Sequence, residues 1–258
     1  MDLTAEAFLF LILIAFMAGV VDALAGGGGL LTIPALMAAG VPPVEALATN
    51  KLQSTIGTGS AVLTFLRAGQ IDLKAFALPA AGAFVGSVLG ATAVQYINPN
   101  FLSAFVPLLL IAMGLYYLLA PKMSEVDRQA RLGRWGLTAV CSAIGFYDGF
   151  FGPGTGSFLT TALVALGGLG LLRAIANTKF INLATNVAGL LAMIAGGKVL
   201  WLLGLSMAAA NVAGNQVGAW LAIRFGGRGV RLLLVVMSFA LTNKLLADPS
   251  NPLWQVLR

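Results

Sequence analysis

The sequence predicts an all-α polytopic membrane protein made of two inverted repeats of spanning helices, each containing a glycine-broken re-entrant helical hairpin. Three observations predict it. The composition is that of a lipid-facing chain: 59% hydrophobic and 9% charged among 258 residues, with a mean hydropathy of +0.94, against about 25% charged in a soluble domain. The apolar residues fall in continuous runs, mostly of about 20 residues, the length that crosses a bilayer, and not in the alternating pattern of a membrane β-barrel. Finally, the order of motifs in the first half recurs in the second.

Taken in order, the first half holds apolar segments at 7–25, 29–40, 44–66, 73–96 and 101–120. The second holds them at 134–150, 154–168, 172–195, 199–223 and 229–246. Segments 29–40 and 154–168 are short for a span, and each follows a glycine-rich break, "AGGGG" or "FGPGTG". Such a break cannot face lipid, where its freed backbone groups find no partner; it must be buried in protein or line a polar cavity. The 32 glycines also suit close helix–helix approach in a membrane. In the first segment "ALAG" at 23–26 mimics a cleavage site, but Asp2 and Glu6 precede it with no Lys or Arg. That is the wrong charge for an export signal, so the segment is expected to remain as a helix.

The chain has no histidine and one cysteine, Cys141. An intrachain disulfide and the common His/Cys metal sites are therefore excluded, and no cofactor is expected. Cys141 reads as a small packing residue. Dyads of the His-Ser or His-Cys type are also excluded, which leaves little room for an intramembrane enzyme. An aspartyl protease built on Asp22 and Asp148 lacks its partner motif.

The repeat rests on charged residues as well as glycines. "GVVDALAGGGG" (19–29) aligns with "GFYDGFFGPGT" (145–155) at an offset of 126, pairing Asp22 with Asp148 and Gly28 with Gly154. A two-residue insertion expected near Gly167–Gly170 then shifts the offset to 128, where Lys51 meets Lys179, and Gly86 and Gly90 meet Gly214 and Gly218. The expected organisation is a first transmembrane repeat at 1–120, a cytoplasmic linker at 121–133 and a second repeat at 134–258.

Basic residues set the orientation. With the linker in the cytoplasm and each break a hairpin that enters and returns, ten basic residues fall inside: Arg67, Lys74, Lys122, Arg128, Arg131, Arg134, Arg173, Arg224, Arg228 and Arg231. Only three, Lys198, Lys244 and Arg258, fall outside. This is the positive-inside pattern, and it requires inverted repeats with both termini periplasmic. The net charge of +6 is thus topology, not a sign of a nucleic-acid partner; the partners implied are the lipid bilayer and a small anion, with a homo-oligomer left open.

Two basic residues remain, Lys51 and Lys179, each about seven residues into a spanning segment. Seven residues is about 10 Å of depth, near the limit of a snorkelling lysine. A lysine at the centre of a lone membrane helix costs about 2.5–3.5 kcal/mol on insertion scales. Two such costs at matched positions point to a cationic site near the midplane; snorkelling, or a purely structural pairing with Asp22 and Asp148, is the alternative. Around the lysines lie Thr49, Asn50 and Gln53 in "ATNKLQ" and Asn177, Thr178 and Asn182 in "ANTKFIN". Gly27, Gly28 and Gly29, and Gly154, Thr155, Gly156 and Ser157, open the two short helices, whose free N–H groups and dipoles suit an anion. Gly28 and Gly154 are expected at the hairpin turns, where a side chain would meet a strained positive φ or fill substrate space. Asp22 and Asp148 neutralise the lysines or carry protons. A phosphate-loop reading fails because no "GK[ST]" follows the glycines.

At "DALAGGGGLLTIPALMAAG" (22–40), "ALATNKLQ" (46–53), "PKMSEVDRQAR" (121–131) and "GFYDGFFGPGTGSF" (145–158) the chain resembles the TauE/SafE, or sulfite exporter, family and its YfcA-like branch. The resemblance covers essentially the whole chain. It implies a bacterial inner-membrane permease that moves sulfite, organosulfonates, sulfoacetate or similar small anions by secondary transport. An anion channel is the rival that these residues leave open.

Overall fold

The computed structural model describes residues 4–119 and 125–225. The tenth apolar segment, 229–246, and the basic residues Lys122, Arg228, Arg231, Lys244 and Arg258 lie outside the described residues. Nine helices are present among them: α1 (Ala5–Ala25), α2 (Gly29–Ala38), α3 (Pro43–Arg67), α4 (Leu73–Val94), α5 (Pro99–Leu119), α6 (Arg134–Phe150), α7 (Thr155–Ala165), α8 (Leu171–Ala195) and α9 (Trp201–Phe225).

Local sequence explains where they start and stop. The Thr4 hydroxyl accepts the Ala7 N–H, and the Asp72 carboxylate accepts the Ala75 N–H, capping α1 and α4. Gly26, at φ 72°, ends α1 in the left-handed conformation. Pro43 opens α3, where its missing N–H costs nothing.

The bundle is apolar outside and polar within. Leu63, Val85, Leu89, Leu202 and Trp220 are exposed, while Thr32, Asn50, Lys51, Gln53, Asp148, Asn177, Lys179 and Asn186 are buried. A water-soluble protein distributes these residue types the other way round, and the protein is membrane-integral. Ala5–Leu24, Leu73–Val94 and Leu171–Ala195 are long and apolar enough to cross a membrane. α3 and α9 are equally long, at 25 residues each, but carry the buried polar residues that dilute their hydropathy.

Glycines set the closest helix contacts. α4 packs on α6 with Gly86 and Gly90 against backbone atoms of Ser142, Phe146 and Phe150, and with Gly145 and Gly149 against Ala83, Ser87 and Ala91. α1 packs on α9 in the same manner, Gly214 and Gly218 meeting Phe16 and Val20, and Gly19 meeting Asn211 and Asn215. α3 and α8 lie against each other in the interior; α9 also packs on α3, and α4 on α8.

Two expectations are corrected. The register between the halves changes inside the second glycine break, not near Gly167–Gly170. Gly26 and Gly152 share a positive φ at an offset of 126, but Gly40 and Gly168 share one at 128. Between them, Thr32 donates to the Gly28 carbonyl and contacts Asn50, as Thr160 donates to the Gly156 carbonyl and contacts Thr178, again at 128. Gly26 shares its positive φ with Gly154, at 128, as well as with Gly152, so the matched contacts put the extra pair of residues between Asp148 and Gly156, with Gly28 corresponding to Gly156.

The second correction follows from the first. Gly28 has a helical φ of −55°, and the left-handed turn belongs to Gly26. A Cβ at Gly28 would press on the Ala18 carbonyl and the Asp22 side chain, each at 2.8 Å. Gly154 does have a positive φ, 83°, but a Cβ there would meet Met113.

Candidate functional site

The two lysines come to equivalent depths. Lys51 stands eight residues beyond the start of α3 and Lys179 eight beyond the start of α8, about 12 Å along each axis. Both are fully enclosed, at 2% and 1% exposure, so neither ammonium snorkels to water.

Each is paired with an aspartate from the opposite half of the chain. Lys51 Nζ lies 2.5 Å from Asp148 Oδ2 and 3.3 Å from Asn186 Oδ1, donating to both. Lys179 Nζ lies 2.9 Å from Asp22 Oδ2. That distance qualifies as an ion pair, but the alignment is outside hydrogen-bond geometry, and among the described residues the Lys179 ammonium makes no hydrogen bond. Thr58 donates to the same Asp22 oxygen at 3.2 Å. Buried charges persist in such an environment only when paired, because an isolated one would neutralise or drive the helix out.

Between the pairs is a small polar cavity of about 20 Å³ lined by Asp22, Gly26, Gly29, Asn50, Ser54, Asp148, Gly152, Thr155, Gly156, Asn182 and Asn186. That volume holds about one water. The cavity sits where the two breaks meet: Gly26 packs directly on Gly156, and Gly29 approaches Pro153. The breaks are pinned from within. Tyr147 Oη donates to the Pro153 carbonyl at 2.7 Å, and Thr155 Oγ1 to the Gly152 carbonyl at 2.7 Å. Thr32 and Gln53 both donate to Asn50 Oδ1, at 2.6 and 3.2 Å, which leaves the Asn50 amide N–H groups to be offered elsewhere.

Of the residues the sequence singled out, Asp22, Gly29, Asn50, Asp148, Thr155, Gly156 and Asn182 line the cavity. Lys51 and Lys179 are not on the lining and reach it only through their paired aspartates. Gly27, Gly28, Thr49, Gln53, Gly154, Ser157, Asn177 and Thr178 are not on the lining. Thr49 Oγ1 and Gln53 Oε1 are buried without a hydrogen bond. Asn177 serves the fold, holding the α3–α4 loop through the Asp72 N–H and the Gln70 carbonyl. The backbone amides are less available than expected: Leu30, Leu31 and Thr155 N–H groups donate to the Gly27, Gly28 and Gly152 carbonyls, tightening the first turns.

Sequence reasoning missed Gly26, Gly152, Ser54 and Asn186 on the lining, and Gly189 beside it. A Cβ at Gly189 would lie 3.0 Å from Lys51 Cε, so this glycine makes room for the lysine stem. Asn186 had a signal, standing seven residues, about two helical turns, after Lys179.

The ends of the bundle sort the charges. Asp127 of the linker accepts the Gly170 N–H at 2.6 Å and pairs with Arg173 at 2.5 Å, next to the 68–72 loop that Asn177 holds. Lys198 approaches Glu45 at 3.5 Å at the start of α3, so it lies at the other end.

Known proteins are similar to this chain over nearly all of its length. A Sinorhizobium sp. protein called probable membrane transporter protein ORF9 is 44% identical over 253 residues, covering 98% of this chain and 97% of its own. The Escherichia coli (strain K12) probable membrane transporter protein YfcA is 46% identical over 241 residues, 92% of this chain and 89% of its own. A probable membrane transporter protein of Haemophilus influenzae is 41% identical over 250 residues, 96% of this chain and 98% of its own. No solved structure matches. A family model described as sulfite exporter TauE/SafE matches residues 11–245, and the chain belongs to that family of membrane transporters.

Proposed function

We propose that the protein is a secondary transporter that moves a small anion of the sulfite or organosulfonate class across the bacterial inner membrane. The observation that carries this reading is the pair of fully buried lysines flanking one polar cavity at the meeting of two broken helices. Broken helices at matching places in two halves are where transporters of this architecture hold substrate. The family description supplies sulfite as a substrate class. A cavity with room for about one water is no continuous aqueous pore, which favours a transporter over an anion channel.

Within this reading the chain comprises a first repeat (1–120), a cytoplasmic linker (121–133) and a second, inverted repeat (134–258), with both termini in the periplasm. The helix contacts support such a relation because they come in matched pairs: α1 on α9 with α6 on α4, α3 on α9 with α8 on α4, α2 on α3 with α7 on α8. Cysteines introduced at positions 3 and 255 should label from the periplasm, and one at 127 only from the cytoplasm. Labelling of the two ends from opposite sides would overturn the inversion.

The site is tested by calorimetric binding of sulfite, methanesulfonate and sulfoacetate, with small carboxylates as controls. Lys179→Ala should weaken anion binding by at least about tenfold, the scale of a lost charge-assisted contact, and Lys51→Ala should weaken it by leaving the Asp148 carboxylate unpaired on the cavity lining. Lys→Arg should rescue only in part, because a planar fork does not replace a compact ammonium. Undiminished uptake by both alanine variants at normal expression would sink the assignment.

A further inference from the structure

The two ion pairs are not equivalent, and the surfaces they present to the cavity are acidic. Asp22 and Asp148 both line it, and neither lysine is on the lining. An incoming anion therefore meets two carboxylates first, and repulsion in a poorly hydrated space is strong. Binding requires that one carboxylate surrender its lysine. Asp148 is the poorer choice: its side chain is 3% exposed, and its partner Lys51 is also held by Asn186. Asp22 is 13% exposed, and among the described residues the Lys179 ammonium makes no hydrogen bond beyond its ion pair with Asp22.

We propose that the anion binds Lys179 by displacing Asp22, that Asp22 takes up one proton as it is displaced, and that Lys51–Asp148 stays paired as a fixed strut. This rests on the anion-transport reading above. The charge balance requires the proton. Two lysines and two aspartates sum to zero; a monoanion alone would leave the site at minus one, whereas a monoanion plus one proton restores zero. The proton comes from bulk water on the side to which the cavity opens, forms the O–H bond of the Asp22 acid, and is released when the anion leaves and the carboxylate returns to Lys179. A net buried charge is costly in a membrane interior, so anion and proton are carried together.

The charged groups facing Asp22 are few. α8 supplies Lys179, and across the cavity α3 supplies Lys51 and α6 Asp148. Thr58 of α3 is a neutral donor. α2 and α7 contain no acid or base, and the one ionisable residue of α9, Arg224, is in its last turn.

The experiment uses the purified full chain and methanesulfonate, whose charge does not change with pH. Calorimetry in buffers of different ionisation enthalpy should find about one proton taken up per anion bound by the wild type. Its affinity should fall as the pH rises, by about tenfold per pH unit where one full proton is taken up. Asp22→Asn should bind more tightly than the wild type at high pH, with no pH slope and no proton uptake. Wild-type binding without proton uptake overturns the proposal even if the variant fails to fold. So does a slope that persists in Asp22→Asn, or a dependence on sodium in place of pH. If the wild type binds neither methanesulfonate nor sulfite at any pH, the anion-transport reading itself fails.

Discussion

The two halves of this protein build the same device with different tightness. In the first, the break is three glycines long between Gly26 and α2, and its aspartate, Asp22, faces a lysine that it holds off-axis. In the second, the break is four residues long, 151–154, the Tyr147 hydroxyl and Thr155 pin it, and Asp148 is locked to Lys51 and, through it, to Asn186. The two halves carry matched charges, and the differences between them decide which pair is held more tightly. One fixed pair and one loose pair give a site a reference point and a moving part.

The largest test of that contrast removes each aspartate. Asp148→Ala would strand Lys51 in an enclosed site, and breaking a buried pair costs about 3–5 kcal/mol. Asp22→Ala should cost clearly less, because the Lys179 ammonium already makes no hydrogen bond and its partner is partly exposed. Thermal unfolding in detergent measures both. Equal losses would mean that the two pairs are alike and the asymmetry carries no function.

Next in size is the packing beneath the strut. Gly189 leaves space for the Lys51 stem, whereas Ala61 occupies the corresponding place in α3 at the offset of 128. Gly189→Ala should push on Lys51 and cost about 1–3 kcal/mol as overpacking, with anion binding impaired as well. Gly86→Ala, which would bring a Cβ to 2.1 Å from the Ser142 carbonyl in the α4–α6 contact, should cost more stability than Gly189→Ala but spare binding. If Gly189→Ala leaves binding untouched, the position of Lys51 is not critical.

How much of this was legible in the sequence depends on the kind of signal. Helix ends match to within three residues wherever the described residues continue past them, because apolar runs, glycine breaks and prolines mark them chemically. The lysines stood out because a charge in such a run has no cheap explanation. The register of the second break was not legible: "GPGTG" offers Gly28 a glycine partner at offset 126 and another at 128. Only backbone conformation, shared by Gly40 and Gly168, separates them. Asn177 misled for a related reason. Its amide looks the same in the sequence whether it faces a substrate or, as here, a neighbouring loop.

The smallest expected effect lies where the two lysine-bearing helices begin. α3 starts on Pro42 and Pro43, which preset its first turn. α8 starts on Gly170, which has no side chain to cap it, and borrows one from the linker: Asp127 accepts the Gly170 N–H and pairs with Arg173. The Gly170 hydrogen bond first, and then Arg173, hold the Asp127 carboxyl below its ordinary value. A carboxyl lowered on folding contributes stability above its unfolded value and loses that contribution as the pH falls through its folded one. Asp127→Asn should therefore lower the melting temperature slightly at neutral pH and not at all in acid, where the wild-type carboxyl is also neutral. The effect should shrink in high salt, because the pair is half-exposed. Melting curves across pH and salt would check this, and an undiminished loss in acid would show that the linker steadies α8 by some means other than this charge.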